Sequence, residues 1–519
     1  MKKITKIVIH ILEQMNKKLL SHLIISIIIS CNVLKANEST VTTLEELTKT
    51  YASAIPGDTI VIANGNYNWG KINISNMNSS PTSEWIVLKA ETRSHVIFIG
   101  NTNIEFSGTR VLLDGFYFVD GNAGENPVVS FRSSPNDLAN FSRITNVTVD
   151  NYNTPSEDNS LKNEWISLYG INNRVDHCTF INKTNAKATL VVTYSTATFP
   201  EKSISTYHRI DSNYFLGRSY HSNGGESIRV GLGNNSRTDG YNIIENNLFE
   251  NCTQEEPEII SNKSNRNTYR NNTFKNCNGG LTLRQGKFCN VYGNFFIVDD
   301  TTKTQSYGIR ITDRGHKVFN NYFEGLSNDP TNKEHGPIVI YSGTYSPADS
   351  LIPFKAGYFP ADNCTLAYNT IVNCYGGSGI VIGYTRNGTF PYKPVGLNIS
   401  NNLIKMKTVQ AVYLHPTNKS LDYFSEGNLY NAPDDLGISN STGFTENSLP
   451  FELRRNGILV PSMSIKDKSI NTSNYNEFIY TDIQGQKRSL VYDPGCDELN
   501  TSSDVKNQPL DSKLVGAGN

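Results

Sequence analysis

The sequence predicts an all-β fold, a right-handed parallel β-helix in which short strands stack coil upon coil. Three observations predict it. A phrase recurs along the chain as Asn213-Tyr-Phe, Asn246-Asn-Leu-Phe, Asn271-Asn-Thr-Phe, Asn294-Phe-Phe and Asn320-Asn-Tyr-Phe. The intervals from Phe249 to Phe274, Phe296 and Phe323 are 25, 22 and 27 residues, the length of one coil with variable loops. Between the phrases lie short Val/Ile/Phe-rich runs bounded by Asn and Gly, and no long amphipathic-helix pattern crosses the region.

Taken from the N-terminus, residues 1–36 read as an export signal: Met15-Asn-Lys-Lys precedes an apolar run from Leu19 to Ser30 that is too short to span a bilayer as a helix. Met1 and Met15 both serve as possible starts. Ile28-Ile29-Ser30-Cys31 resembles a lipoprotein cleavage box, so a lipid anchor at Cys31 stands beside cleavage near Ala36, and the expected location is periplasmic, secreted or anchored to the cell envelope. Leu44, Leu47 and Tyr51 have helical spacing within 37–60, a segment placed to cover the first coil. Strands come next at Ile60-Val-Ile, Trp85-Ile-Val-Leu, Val96-Ile-Phe-Ile and Val111-Leu-Leu, and later at Asn369-Thr-Ile-Val and Asn401-Asn-Leu-Ile. The pattern weakens near residue 430. The division expected is therefore a β-helix over 37–430 and a polar C-terminal cap or extension over 431–519, containing Asp482-Ile-Gln-Gly and Asp493-Pro-Gly-Cys-Asp-Glu.

Bulk properties exclude several classes. With 47 basic and 48 acidic residues the formal charge is −1, so no global field recruits nucleic acid or an anionic membrane, and any grip on a polyanion is local. The eight Cys are dispersed without zinc-like spacing, and Cys252 and Cys277 hold equivalent places in the repeat, which predicts a buried thiol ladder.

The chemistry-bearing residues concentrate between Asn223 and Arg284. Glu256 and Glu258 are two apart, so on a strand both carboxylates share a face, the convergence a hard cation such as calcium needs. Lys263 and Arg284 are 21 residues apart, close to one coil, so the second sits beside the first on the next coil. Alone, a paired Glu or a single Lys or Arg is equally a solvated strand face; the joint spacing is what suggests one groove.

These residues resemble polysaccharide lyase family six, which contains alginate lyases and chondroitinase B. The resemblance runs from Ile62-Ala-Asn-Gly-Asn-Tyr through Leu113-Asp-Gly-Phe-Tyr-Phe and Arg174-Val-Asp-His-Cys-Thr-Phe to Asn321-Tyr-Phe and the Asp493 tail. It implies calcium ligands at Asn223, within Asn223-Gly-Gly-Glu-Ser-Ile-Arg-Val-Gly, and at Glu256 and Glu258. It also implies a Brønsted base at Lys263 and its partner at Arg284, within Leu281-Thr-Leu-Arg. Removing the C5 proton of a uronate builds charge on the adjacent carboxylate, which calcium stabilises as a Lewis acid. Lys263 must be neutral to take that proton, and neighbouring positive charge favours the neutral form. Arg284 would stabilise the leaving glycosidic oxygen or help deliver its proton, and because a guanidinium is a poor proton donor, water is the alternative final donor.

Arg310, in Tyr307-Gly-Ile-Arg-Ile-Thr-Asp-Arg-Gly-His316, leads the candidates for holding substrate carboxylates, with Arg266, His316 and Arg229 after it; Arg314 is weaker, and Glu226 stands as an alternative metal-facing group. Ser212 and Gln285 depart from the family pattern at positions where His is common, which bears on subsite preference. The expected partner is an acidic polysaccharide, alginate first, with dermatan sulfate and a non-catalytic glycan-binding β-helix as alternatives; oligomeric state is not encoded in any feature found. Hydrolysis on the same fold would need clustered aspartates, whereas Asp299-Asp300 stands alone.

Overall fold

The computed structural model describes residues 14, 36–76, 84–154, 162–194, 204–219, 224–253, 258–300, 302–303, 305–329, 331, 333–351, 355, 357–416, 423–434, 436–438, 442–499 and 504–519. The export-signal reading, including Cys31, lies almost wholly outside them. Among them, no helix is long and apolar enough to cross a membrane.

Three parallel sheets of 14, 14 and 12 strands form the sides of a β-helix among the described residues. Most coils contribute one strand to each sheet, and strands pair with the equivalent strand one coil away: Phe249 aligns with Phe274, which aligns with Phe296 and then Phe323. Their rings stack inside the coil at centroid separations of 4.9, 4.5 and 4.9 Å. The helix Leu44–Ser53 covers the first coil; Thr43 and Glu46 form a reciprocal cap at its start, and Leu47 and Tyr51 are buried in the main core.

The repeated Asn-Asn phrase has a distinct job for each residue. The first takes a left-handed conformation, with φ of 55°, 56°, 52° and 54° at Asn246, Asn271, Asn320 and Asn401, a region Asn enters more easily than most residues. The second turns inward and ladders. From Asn213 through Asn247, Asn272, Asn294, Asn321, Asn369 and Asn402 to Asn428, each amide Nδ2 donates to Oδ1 of the next, at 2.8–3.0 Å. The same Oδ1 accepts the preceding rung's backbone N–H, so every bend in this column is satisfied without water.

All seven described cysteines are free and buried, Cys252 and Cys277 among them, in agreement with the thiol-ladder expectation. The chain departs from expectation at its end. The last strand of the sheets is Phe444–Glu446, beyond the expected limit near 430. The chain beyond it lies as an extension, a strap along the side of the solenoid. Ile470 N–H donates to Asn401, Cys496 N–H to Thr370, Leu510 N–H to Thr273 and Ala517 N–H to Thr179, so the strap runs back toward the earlier coils. The acidic tail residues lock its turns: Asp482 accepts from the N–H groups of Gln486 and Glu498, and Asp493 from those of Asp467 and Leu499.

Candidate active site

The 12-stranded sheet carries the candidate site on its outer face, where the strand Glu258–Lys263 lies between Ile228–Val230 and Gly280–Gln285. Two irregularities in its pairing decide which side chains face out. Glu258 aligns with Gly280 but Ile260 with Leu281, so Ile259 is an extra residue; it and Ile260 are both buried in the core, and Glu258, Ser261 and Lys263 are turned to the same outer side. The second shift places Asn262 opposite Leu283 and Lys263 opposite Gln285, which makes Arg284 the extra residue on its own strand. Bulges of this kind re-aim side chains. The 21-residue spacing thus brings Lys263 and Arg284 to neighbouring coils, with Arg284 thrown out of the regular ladder.

Glu258 is the hub. Its side chain is buried, and Arg284 Nη1 lies 3.1 and 3.2 Å from its two oxygens, Arg310 Nη2 donates to Oε1, and Ser261 Oγ donates to Oε2 at 2.7 Å. Burial works to raise its pKa, but Arg310, Arg284, Lys263 and Ser261 outweigh it and hold the carboxyl below its ordinary value. Lys263 Nζ sits 3.9 Å from Glu226. Burial first, and then Arg284, push the lysine below its ordinary value against the opposing pull of Glu226 and Glu258, which is the direction a base needs.

A second row of charge flanks this group. Arg229 bridges Glu226 at 3.9 Å and Glu164 at 3.8 Å, and Lys187 joins Glu164 at 3.4 Å. On the other side a pocket of ≈ 90 Å³ opens among Glu258, Arg284, Arg310, Glu334, Tyr341 and Tyr358. Arg310 lies over the Tyr341 ring at 5.3 Å and 3.7 Å from Glu334, while Arg284 Nε donates to Tyr358 Oη at 2.9 Å.

The structure therefore brings together Glu258, Lys263, Arg284, Arg310 and Arg229. Asn223 and Glu256 lie outside the described residues. The fit to a hard cation rests on the carboxylates: Glu226 is buried, its Oε2 has no hydrogen-bond partner among the described residues, and it stands two residues before the strand Ile228–Val230, which pairs with that of Glu258, Ile228 opposite Ile260. Among the described residues no group of three or more His, Cys, Asp or Glu side chains converges.

Two expected substrate-binding residues are placed elsewhere. His316 is fully buried: its Nδ1 faces Cys289 N–H at 3.1 Å and its Nε2 the Thr312 carbonyl at 2.9 Å. It fills a second bend column in which Asn173, His208, Asn242 and Asn267 play the same part, and burial drives its pKa down to about 4. Its role is structural. Arg266 is an exposed turn residue, 43% accessible, paired with Asp239 at 3.0 Å and lying over Phe288; neither partner lines the pocket. Arg314 is likewise tied to Asp362.

Sequence reasoning missed Ser261, Glu334, Tyr341 and Tyr358. Tyr341 had a signal, since Ile311 aligns with Ile340 and so places Tyr341 one coil beyond Thr312. Tyr358 belongs to the insertion between the strands Ile338–Tyr341 and Thr365–Ala367, which carries no repeat.

The family model described as chondroitinase B matches residues 41–478. An alginate lyase of polysaccharide lyase family 6, AlyGC, superposes with a TM-score of 0.73 at 28% identity, covering 93% of this chain and 58% of its own, so the chain spans little more than half of that relative. A mannuronic acid specific family 6 lyase from the human gut microbiota gives a TM-score of 0.69 at 25% identity over 80% of this chain and 92% of its own. A family 6 lyase from Pseudopedobacter saltans, at 24% identity and a TM-score of 0.63 over 92% and 98%, shares the fold. No curated protein matched the sequence.

Proposed function

The chain belongs to the chondroitinase B family, polysaccharide lyase family 6, and from that premise we propose that it cleaves alginate by calcium-assisted β-elimination at a uronate C5. The observation that carries the reading is the buried Glu258 holding Arg284 and Arg310 on the same face as Lys263. Lys263, pushed toward its neutral form, accepts the C5 proton. Arg284 stabilises the leaving glycosidic oxygen or helps deliver its proton, and Arg310 offers a guanidinium fork that matches a substrate carboxylate. Arg229 extends the cationic surface one coil away. Calcium, which Asn223, Glu256 and Glu258 would hold with Glu226 as an alternative carboxylate, would stabilise the negative charge that builds on the uronate carboxylate. The product carries an unsaturated uronate at its new non-reducing end. An exported protein, free or lipid-anchored at Cys31, would meet this polymer outside the cytoplasm.

Alginate is preferred because AlyGC, at 28% identity, is described as an alginate lyase; the description of the matching family model favours dermatan sulfate as the second substrate. Ultraviolet absorbance of the protein incubated with each polymer, with calcium or with chelator, tests the reading. A rise with alginate that disappears in chelator is the expected result. A rise with dermatan sulfate alone replaces the substrate, and no rise with either from folded, calcium-loaded protein refutes the alginate reading in favour of a different uronate substrate or of glycan binding.

A further inference from the structure

The outer face of the first 14-stranded sheet carries a ladder of ion pairs that stops partway along the solenoid. Arg143, Arg174 and Arg209 stand in one outward column, and the column beside it holds Asp176, Asp211 and Glu245. Each arginine reaches the carboxylate one coil on, at 2.5, 2.6 and 2.8 Å. Glu245 also takes Arg270 at 2.5 Å, and there the carboxylates end. In the following coils the same column holds Arg270, Tyr292 and Phe319. Lys317 stands in the arginine column with no carboxylate at ion-pair distance among the described residues; its Nζ lies over the Phe478 ring at 4.0 Å.

The C-terminal strap crosses this stretch without filling it. Amides fasten it at two points: Asn320 Nδ2 donates to the Thr481 carbonyl at 2.7 Å and Asn507 Nδ2 to the Gly293 carbonyl at 3.0 Å. These four residues also line a cavity of ≈ 580 Å³, within the size range of ligand pockets. Its cations are Arg270, Lys317 and Lys506, the last paired only with the exposed Asp504 at 3.4 Å. Its one lining carboxylate, Asp482, is buried and committed to the N–H groups of Gln486 and Glu498. Tyr292 stacks on Phe319 at 4.8 Å and Phe478 meets Phe319 edge-on at 5.2 Å, while Tyr480 is 65% exposed. The cavity therefore combines surplus positive charge with aromatic surface held by packing.

We propose that this cavity is a second binding site for a carboxylate-bearing saccharide, separate from the Lys263 groove, which lies on the 12-stranded sheet. A uronate offers what the lining can use: a carboxylate for Lys317, with Arg270 and Lys506 adding to the positive field, and a C–H ring face to lie on Tyr292 or Tyr480. A polymer long enough to reach both places dissociates less readily than one held at either, so the site keeps substrate on the molecule between cleavages. The choice of uronate polymer rests on the lyase reading; the anionic-saccharide chemistry of the cavity does not.

The test is calorimetric titration of Lys263→Met, used to suppress turnover, with uronate tetrasaccharides from alginate and from dermatan sulfate, and with maltotetraose as an uncharged control. Expected are two uronate sites per chain and no maltotetraose binding at the second. Lys317→Met keeps an aliphatic stem over Phe478, and Tyr480→Ser alters an exposed ring, so both spare the fold. Each, added to Lys263→Met, should weaken the second site roughly tenfold or more and leave the first unchanged. A single uronate site that Lys317→Met does not affect overturns the proposal and leaves the lyase reading intact. Two sites, neither responding to Lys317→Met or Tyr480→Ser, put the second ligand elsewhere and overturn it as well. Maltotetraose bound there as tightly as uronate overturns the assignment to an acidic sugar. Wild type inactive on every uronate polymer, with Lys317-dependent uronate binding retained, overturns the lyase reading alone.

Discussion

Replacing Glu258 by Gln keeps the side-chain volume and one acceptor oxygen but removes the negative charge that Arg284 and Arg310 share. The magnitude follows from the geometry. At an effective dielectric near 20, opposite unit charges at the 3.1 Å of the Arg284 contact attract by about 5 kcal/mol, and two guanidiniums give about 10. Burying the carboxylate costs several kcal/mol, which the variant recovers, so the net loss is about 3–5 kcal/mol, the usual cost of stranding buried charge. Urea unfolding in chelator reads this directly, because a metal contribution to the wild type is then removed. Glu258 has a depressed folded pKa, so its contribution is present above the unfolded value of about 4.3 and is lost as pH falls through the lower folded one. The difference between wild type and variant should therefore be full at neutral pH and close in acid. Adding Arg310→Met should restore much of the loss by removing the stranded cation. A Glu258→Gln protein within about 0.5 kcal/mol of wild type at neutral pH would refute the claim that this carboxylate holds the site together.

Three further outcomes are expected. Lys263→Met should lower kcat by roughly 10²–10⁴-fold yet stabilise the fold at neutral pH: the charged lysine is disfavoured by burial, and that cost persists below its folded pKa and fades toward about pH 10.4, so urea midpoints of the two proteins should converge there. Asn272→Ala should cost about 2–5 kcal/mol by leaving the Asn247 N–H and one further buried partner unsatisfied, and hydrogen exchange at the Asn247 amide should accelerate; unchanged protection there would contradict the ladder. His316→Asn should keep near-normal stability and turnover because Asn fills the same column in other coils, whereas His316→Ala should lose about 1–3 kcal/mol in thermal or urea unfolding.

The coil was legible because its punctuation is chemical. Asn246-Asn-Leu-Phe names a left-handed residue, a ladder rung and a stacked core ring in four letters, and each signal is local to the strand or bend that uses it. Lys263 and Arg284 were legible through coil length. The bulge at Ile259 was not, because Glu-Ile-Ile-Ser reads as simple alternation until Ile259 and Ile260 both turn inward. His316 misled for a related reason: a polar residue in a site-like phrase is indistinguishable from one that satisfies a buried bend unless the neighbouring coils are aligned. Arg266 follows Lys263 by three residues, but the chain has already turned the corner and put it on a different edge. Tyr358 comes from an insertion whose position depends on pairing with Thr344 and on Phe390, contacts that no period in the sequence announces.

The strap that runs from Ile470 back to Ala517 reverses the order in which the molecule can be finished. Its docking points at Asn401, Thr370, Thr273 and Thr179 are reached in that sequence, so Ala517 closes a contact with a residue synthesised some 340 positions earlier. Stacked coils can grow from neighbour to neighbour through short loops, but this segment cannot attach until its whole track exists. It therefore acts as a late fastener: it adds little to the speed of assembly, and by tying successive coils together it chiefly slows their separation.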